Sequence, residues 1–132
     1  MLRTSAPLIG ALGGTNMRSD ARPIGPLTQV IFVHDYIQVK FDDDIYSLYN
    51  RLEIQNASGV LRQGQDGFTD ALVNLIGHAI TSDSREPGAA LVLLFDNQST
   101  LRVLEGPENE NGPEAYHYAA ANGSIVVEQN ST

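Results

Sequence analysis

The side chains best suited to chemistry gather in one short stretch, where His34, Asp35, Tyr36 and Gln38 stand close together. A histidine beside an aspartate suggests a base with its orienting carboxylate. Neighbouring strand residues project to opposite faces, however, so this pair makes no dyad unless the chain bends there. Tyr36 and Gln38 are expected on the face of His34. With Tyr116 and His117 they form the candidate surface or pocket cluster. The plainer reading is a solvated sheet face, or one covered by a helix. A ligand pocket or an active site would require His34, Tyr36 and His117, distant in sequence, to converge.

The acidic residues offer oxygen ligands without a ligand pattern. Asp42, Asp43 and Asp44, joined in space by Asp96, could hold calcium or magnesium, but their spacing lacks the form of a calcium loop and reads better as a turn. Glu108, Glu110, Glu114 and His117 contain ligand types as well. One Glu114–His117 pair makes neither a zinc protease nor a di-iron site. Gly-x-Ser-x-Gly, Gly-x-Gly-x-x-Gly and the phosphate-binding loop are absent. Gly64-Gln65-Asp66-Gly67 lacks the lysine and hydroxyl of such a loop, and Asp66 would oppose an anion. The expectation is no cofactor and no metal.

Composition narrows the classes further. The chain of 132 residues has no cysteine, which removes thiolate catalysis and iron–sulfur clusters, and its formal net charge is −8. Residues 1–26 hold three arginines against one aspartate, or +2, leaving five basic and fifteen acidic residues, or −10, in residues 27–132. Such a body repels phosphate backbones and steers basic partners toward itself. Nucleic-acid binding is disfavoured. The opening apolar run is short and broken by Pro7 and Gly10, which argues against an export signal, and no stretch is long enough to span a membrane, so a soluble cytoplasmic protein is expected.

The elements that must position these residues follow from periodicity. An apolar strand ending in Phe-Asp, a polar turn and a second strand occur twice, at Ile37–Asp42 into Ile45–Tyr49 and at Leu91–Asp96 into Thr100–Leu104. Whether this echo is a duplication or two ordinary hairpins is open from sequence. Upstream, Leu27, Ile31, Val33, Ile37, Val39 and Phe41 are placed on one core face of two strands or one bent strand, with His34-Asp35 marking a bulge or turn. Leu52 and Ile54 suggest a short edge strand. Phe68, Ala71, Leu72, Leu75 and Ile76 make a helical stripe over Gly67–Ile76, capped by Asp66 and ended by Gly77. His78–Thr81 reads as a short strand, and Thr81–Gly88 and Glu105–Asn111 as loops. Gly112-Pro113-Glu114-Ala115 reads as the start of a second, short helix, Pro113–Ala121, before a last strand at Ile125–Val127.

The fold expected is therefore α+β: an antiparallel or mixed sheet of about five to seven strands with one clear helix and one short C-terminal helix. Residues 1–26 are expected as a flexible arm, 27–128 as a single domain and 129–132 as a frayed tail. The segments Phe32–Phe41, Ala71–Gly77, Leu94-Phe95-Asp96 and Gly112–Ala115 resemble a group of small bacterial proteins without assigned function. The resemblance covers about residues 27–128 and implies a bacterial αβ domain, with no catalytic residues to carry over. Charge and the tyrosines Tyr36, Tyr46, Tyr49, Tyr116 and Tyr118 favour a non-enzymatic protein-binding module, for example an immunity-type protein facing a basic toxin. Self-association through an open edge strand fits the same residues. The alternative is a small-ligand-binding protein or enzyme with its pocket near His34, Tyr36 and His117.

Overall fold

The computed structural model describes residues 22–130, and among these are ten strands and one α-helix. The chain is α+β and single-domain, but it has two five-stranded antiparallel sheets where one sheet of five to seven strands was expected. β1 (Gln29–Val33), β2 (Tyr36–Phe41) and β3 (Asp44–Leu48) form a meander, and β4 (Leu52–Asn56) with β5 (Gly59–Arg62) forms a hairpin. After α1 (Phe68–Val73), β6 (Ile80–Glu86), β7 (Ala89–Phe95) and β8 (Thr100–Leu104) repeat the meander, and β9 (Glu114–Ala119) with β10 (Ile125–Gln129) repeats the hairpin. Each hairpin is delivered to the other half's meander. The orders are β1-β2-β3-β9-β10 in sheet 1 and β5-β4-β8-β7-β6 in sheet 2.

This exchange makes the echoed Phe-Asp pattern a repeat of topology. Ile45, Tyr46, Ser47 and Leu48 face Ala119, Tyr118, His117 and Tyr116 in sheet 1, as Thr100, Leu101, Arg102 and Val103 face Gln55, Ile54, Glu53 and Leu52 in sheet 2. The matching phenylalanines, Phe41 and Phe95, stack between the sheets with ring centroids 6.3 Å apart. Both sheets feed one core. Ile37, Val39, Tyr46, Leu48, Tyr116 and Tyr118 from sheet 1 meet Leu52, Ile54, Leu91, Leu93, Leu101 and Val103 from sheet 2.

Several sequence expectations are corrected. The second helix does not form: Glu114–Ala119 is β9, in which Tyr116 and Tyr118 point inward and His117 outward. Six residues with apolar groups at both two- and three-residue spacing satisfy either period. Pairing with β3 and β10 on both sides decides for the strand. The expected loop Thr81–Gly88 is mostly β6, bonded to β7, and β4 is an inner strand between β5 and β8, not an edge.

His34-Asp35 is a two-residue hairpin turn, so Val33 lies opposite Tyr36 and the phase changes there. Residues directly opposite share a face. Ile31 and Val33 consequently face outward, while Val30 and Phe32 take the inner face with Ile37 and Val39.

The helix stands, shorter than expected. Phe68, Leu72 and Leu75 are buried but Ile76 is not. Asp66 does not cap it: the N-cap is Gly67, at φ 91°, with no side-chain bond to the first turn. Gly77, at φ 96°, turns the chain, and its amide donates to Leu27 O at 2.8 Å.

The arm expected over residues 1–26 lies outside the described residues up to residue 21. Within the remainder, Pro26 bridges Ala79 and Arg22 donates to Thr81 O. At the other end β10 reaches Gln129, and the side chains of Asn130 and Asn50 exchange hydrogen bonds of 2.7 and 3.1 Å. Residues 131–132 of the expected tail lie outside the described residues. Among the described residues, no helix is long and apolar enough to cross a membrane.

Candidate functional site

The outer face of sheet 1 collects most of the candidate residues. One row across its five strands is Ile31, Gln38, Ser47, His117 and Val127, and the next is Gln29, Lys40, Ile45, Ala119 and Ile125. Gln38 Nε2 donates to the Oγ of Ser47, a residue only 6% exposed, at 3.0 Å. Beyond this row Tyr36 packs on Tyr49, ring centroids 5.3 Å apart and tilted by 52°. Ile125 and Val127 on the edge strand are 63% and 40% exposed. No carboxylate interrupts either row.

The equivalent face of sheet 2 is built differently. Arg62 Nε pairs with Glu53 at 3.1 Å, Arg102 Nε pairs with Glu86 at 2.9 Å, and Arg102 Nη1 lies 3.7 Å from Glu53. Arg102 also donates to Gln55 at 3.0 Å. Arg102–Glu53 occupies the register position that Ser47–His117 holds in sheet 1. One face carries an ion-pair lattice suited to water, while the other carries aliphatic side chains, tyrosines and the polar row of Gln38, Ser47 and His117 beside Lys40.

His34 stands apart from this face, in the exposed β1–β2 turn. It lines a cleft of about 330 Å³ with Phe32, Val33, Asp35, Tyr36 and Tyr49 on one side and Arg51 and Glu108–Asn111 on the other. Asn111 Nδ2 donates to Asp35 O, joining the 3₁₀ turn region after Pro107–Asn109 to the hairpin tip. Arg51 Nη2 donates to Gln63 O at 2.6 Å. His117 and Gln38 do not line this cleft. Tyr116 lines neither cleft nor surface: it is fully buried in the core. Among the described residues the structure thus joins Tyr36, Gln38 and His117 on one face and His34 with Tyr36 in the cleft at its end, a cleft that His117 does not line.

The acids serve as turn-makers and clamps. Asp44 Oδ1 accepts from Ala121 N at 2.7 Å and from Tyr118 OH at 3.3 Å. Burial, reinforced by the charges of Asp44 and Asp83, pushes the Tyr118 phenol well above its usual range. Asp42, at φ 59°, turns β2 into β3, and its amide donates to Thr28 Oγ1. Among the described residues no three His, Asp or Glu side chains gather as a metal-ligand set.

A histidine–aspartate pair does exist, at a place the sequence did not signal: His78 Nδ1 and Asp96 Oδ1 are 2.8 Å apart. The Ala79 amide bond to Asp96, then the His78 bond, hold that carboxyl below its ordinary value. Asp96 N in turn donates to Ala79 O at 2.9 Å, so the pair clamps a hairpin tip to the start of β6. No protein-family model, curated protein or solved structure matches this chain.

Proposed function

We propose that the chain is a non-enzymatic protein-binding module of immunity type, and that the outer face of sheet 1 receives a basic protein partner. The observation that supports this most is the contrast between two faces in equivalent register. The sheet 2 face is occupied by Arg62–Glu53–Arg102–Glu86 pairing, and the sheet 1 face leaves Ile125 and Val127 exposed and Ile31, Ile45 and the Tyr36–Tyr49 pair half-buried. Exposed aliphatic and aromatic groups around a satisfied polar centre are what a recognition surface buries. A body charge of −10 in residues 27–132 selects a basic partner by steering. The competing reading, a catalytic or ligand pocket at His34, Tyr36 and His117, gains nothing from a cleft that omits His117.

The test is affinity capture from native cell extract at low and high salt, using the full chain. The variant Ile125→Glu/Val127→Glu changes exposed positions of an edge strand, and Val60→Glu changes an exposed position on the sheet 2 face. A basic protein recovered at low salt by the wild type and by Val60→Glu, but not by the double variant, is the expected result. Equal recovery by all three would sink the proposal. Sedimentation at several concentrations separates self-association, which would appear as a concentration-dependent dimer in the wild type alone.

A further inference from the structure

The cleft at the end of the sheet 1 face has a composition the face itself lacks. Its lining includes Phe32, Val33 and the Tyr36–Tyr49 pair, together with the acidic residues Asp35, Glu108 and Glu110 and the single arginine Arg51. With His34 neutral, that lining sums to −2. Asp35 and Glu108 enter no ion pair among the described residues, although Arg51 lines the same cleft. Arg51 is held at its own side by the bond to Gln63 O. Val33, Tyr36 and Tyr49 belong both to the cleft and to the last row of the open face, so anything lying across the face reaches the cleft without a gap.

We propose that this cleft takes an arginine side chain of the basic partner, the guanidinium lying against the Tyr36 and Tyr49 rings and pairing with Asp35 and Glu108. The inference rests on the protein-binding reading and names the anchor of that binding. A planar guanidinium is the cation that suits it, since it can stack on an aromatic ring while its edge donates to carboxylates. A small anion would meet Arg51 but also three carboxylates. The volume, about 330 Å³, is enough for one long side chain.

The experiment is a titration of the isotopically labelled full chain with acetyl-Gly-Arg-Gly-amide, followed by backbone amide shifts, with acetyl-Gly-Glu-Gly-amide as the opposite-charge probe. Expected are saturating shifts confined to residues 33–36, 49–51 and 108–111, weakened by salt, with no saturation by the glutamate peptide. Tyr49→Leu keeps an apolar body and should weaken the arginine peptide roughly three- to thirty-fold. Glu108→Gln, at an exposed site that does not endanger the fold, should weaken it as well. Shifts scattered over the acidic surface, tighter binding of the glutamate peptide, or an unchanged affinity in both variants would overturn the proposal.

If replacing Arg3 and Arg18 by Gln moves the same amides in the unliganded protein, the cleft belongs to the chain's own first residues, and the proposal falls. Failure here is distinct from failure of the sheet-face reading. Ile125→Glu/Val127→Glu should leave the peptide titration unchanged, and capture insensitive to that double variant would remove the face while leaving the cleft result standing.

Discussion

Asp96 shows how a single exposed carboxylate acquires a structural duty. Its two oxygens accept from the Ala79 amide at 3.2 Å and meet His78 Nδ1 at 2.8 Å, and both contacts favour the ionised form. A carboxyl whose pKa is lower in the fold than in the unfolded chain adds stability above its ordinary value of about 4. That contribution is lost as pH falls through the depressed folded value. Asp96→Asn keeps the size and removes the charge. The variant is expected to be less stable than wild type near neutrality, with the difference shrinking as pH drops below about 4. Urea midpoints measured from neutral to strongly acidic pH check this, and a gap that stays constant across the range would contradict it. The adjacent His34-Asp35 advertises the same chemistry in sequence, yet a two-residue turn spends it on reversing the chain. The working pair joins residues eighteen apart, which no local pattern can announce.

Turns set the registers of the elements, and here the two halves differ in detail. β2 and β3 are joined by Asp42-Asp43, with Asp42 at φ 59°. β7 and β8 are joined by Asp96-Asn97-Gln98, where Phe95 N donates to Ser99 O and Gln98 stands at φ 71°. A left-handed residue followed by strand is the form expected of a three-residue hairpin loop, with glycine preferred at that position. Gln98→Gly should therefore be more stable than Gln98→Val by about 1–2 kcal/mol, since a β-branched residue resists positive φ. Thermal unfolding of the two variants measures the order, and a more stable valine variant would refute the assignment.

The paired Phe-Asp hairpins, the helix stripe at Phe68 and Leu72, and the last strand were legible because each is a local pattern. The strand character of Glu114–Ala119 was less so, because Ala115, Tyr118 and Ala119 also fit a helical stripe. The tyrosines and the Asn122-Gly123 turn were the signals for a strand, the turn being closed by Ser124 N donating to Asn122 Oδ1. The phase reversal between β1 and β2 depended on one residue more or less in the turn. Periodicity alone could not choose.

At the scale of the whole molecule, the exchange of hairpins between halves gives the two sheets the same frame and leaves their outer faces free to diverge. Inside, the divergence is modest. The Tyr46–Tyr118 pair, its rings stacked at 4.3 Å, stands where Leu101 and Ile54 stand in the other sheet, and both pairs are buried. Outside, Ser47–His117 stands where Arg102–Glu53 stands in the other sheet, so that one face lacks the ion pairing that the other carries. The frame itself therefore offers a test that uses residues it already accommodates. Ser47→Arg with His117→Glu transplants the sheet 2 pair into sheet 1 at the same register. The scaffold carries that pair elsewhere, and a partly exposed ion pair adds or removes only about 0–1 kcal/mol, so the unfolding midpoint should change little. Gln38 loses its Ser47 acceptor but lies on an open face where water can replace it. Partner capture should be lost, because charge now occupies the centre of the surface a partner must dry. A folded double variant that still captures the partner would show that the centre of this face is not where recognition occurs.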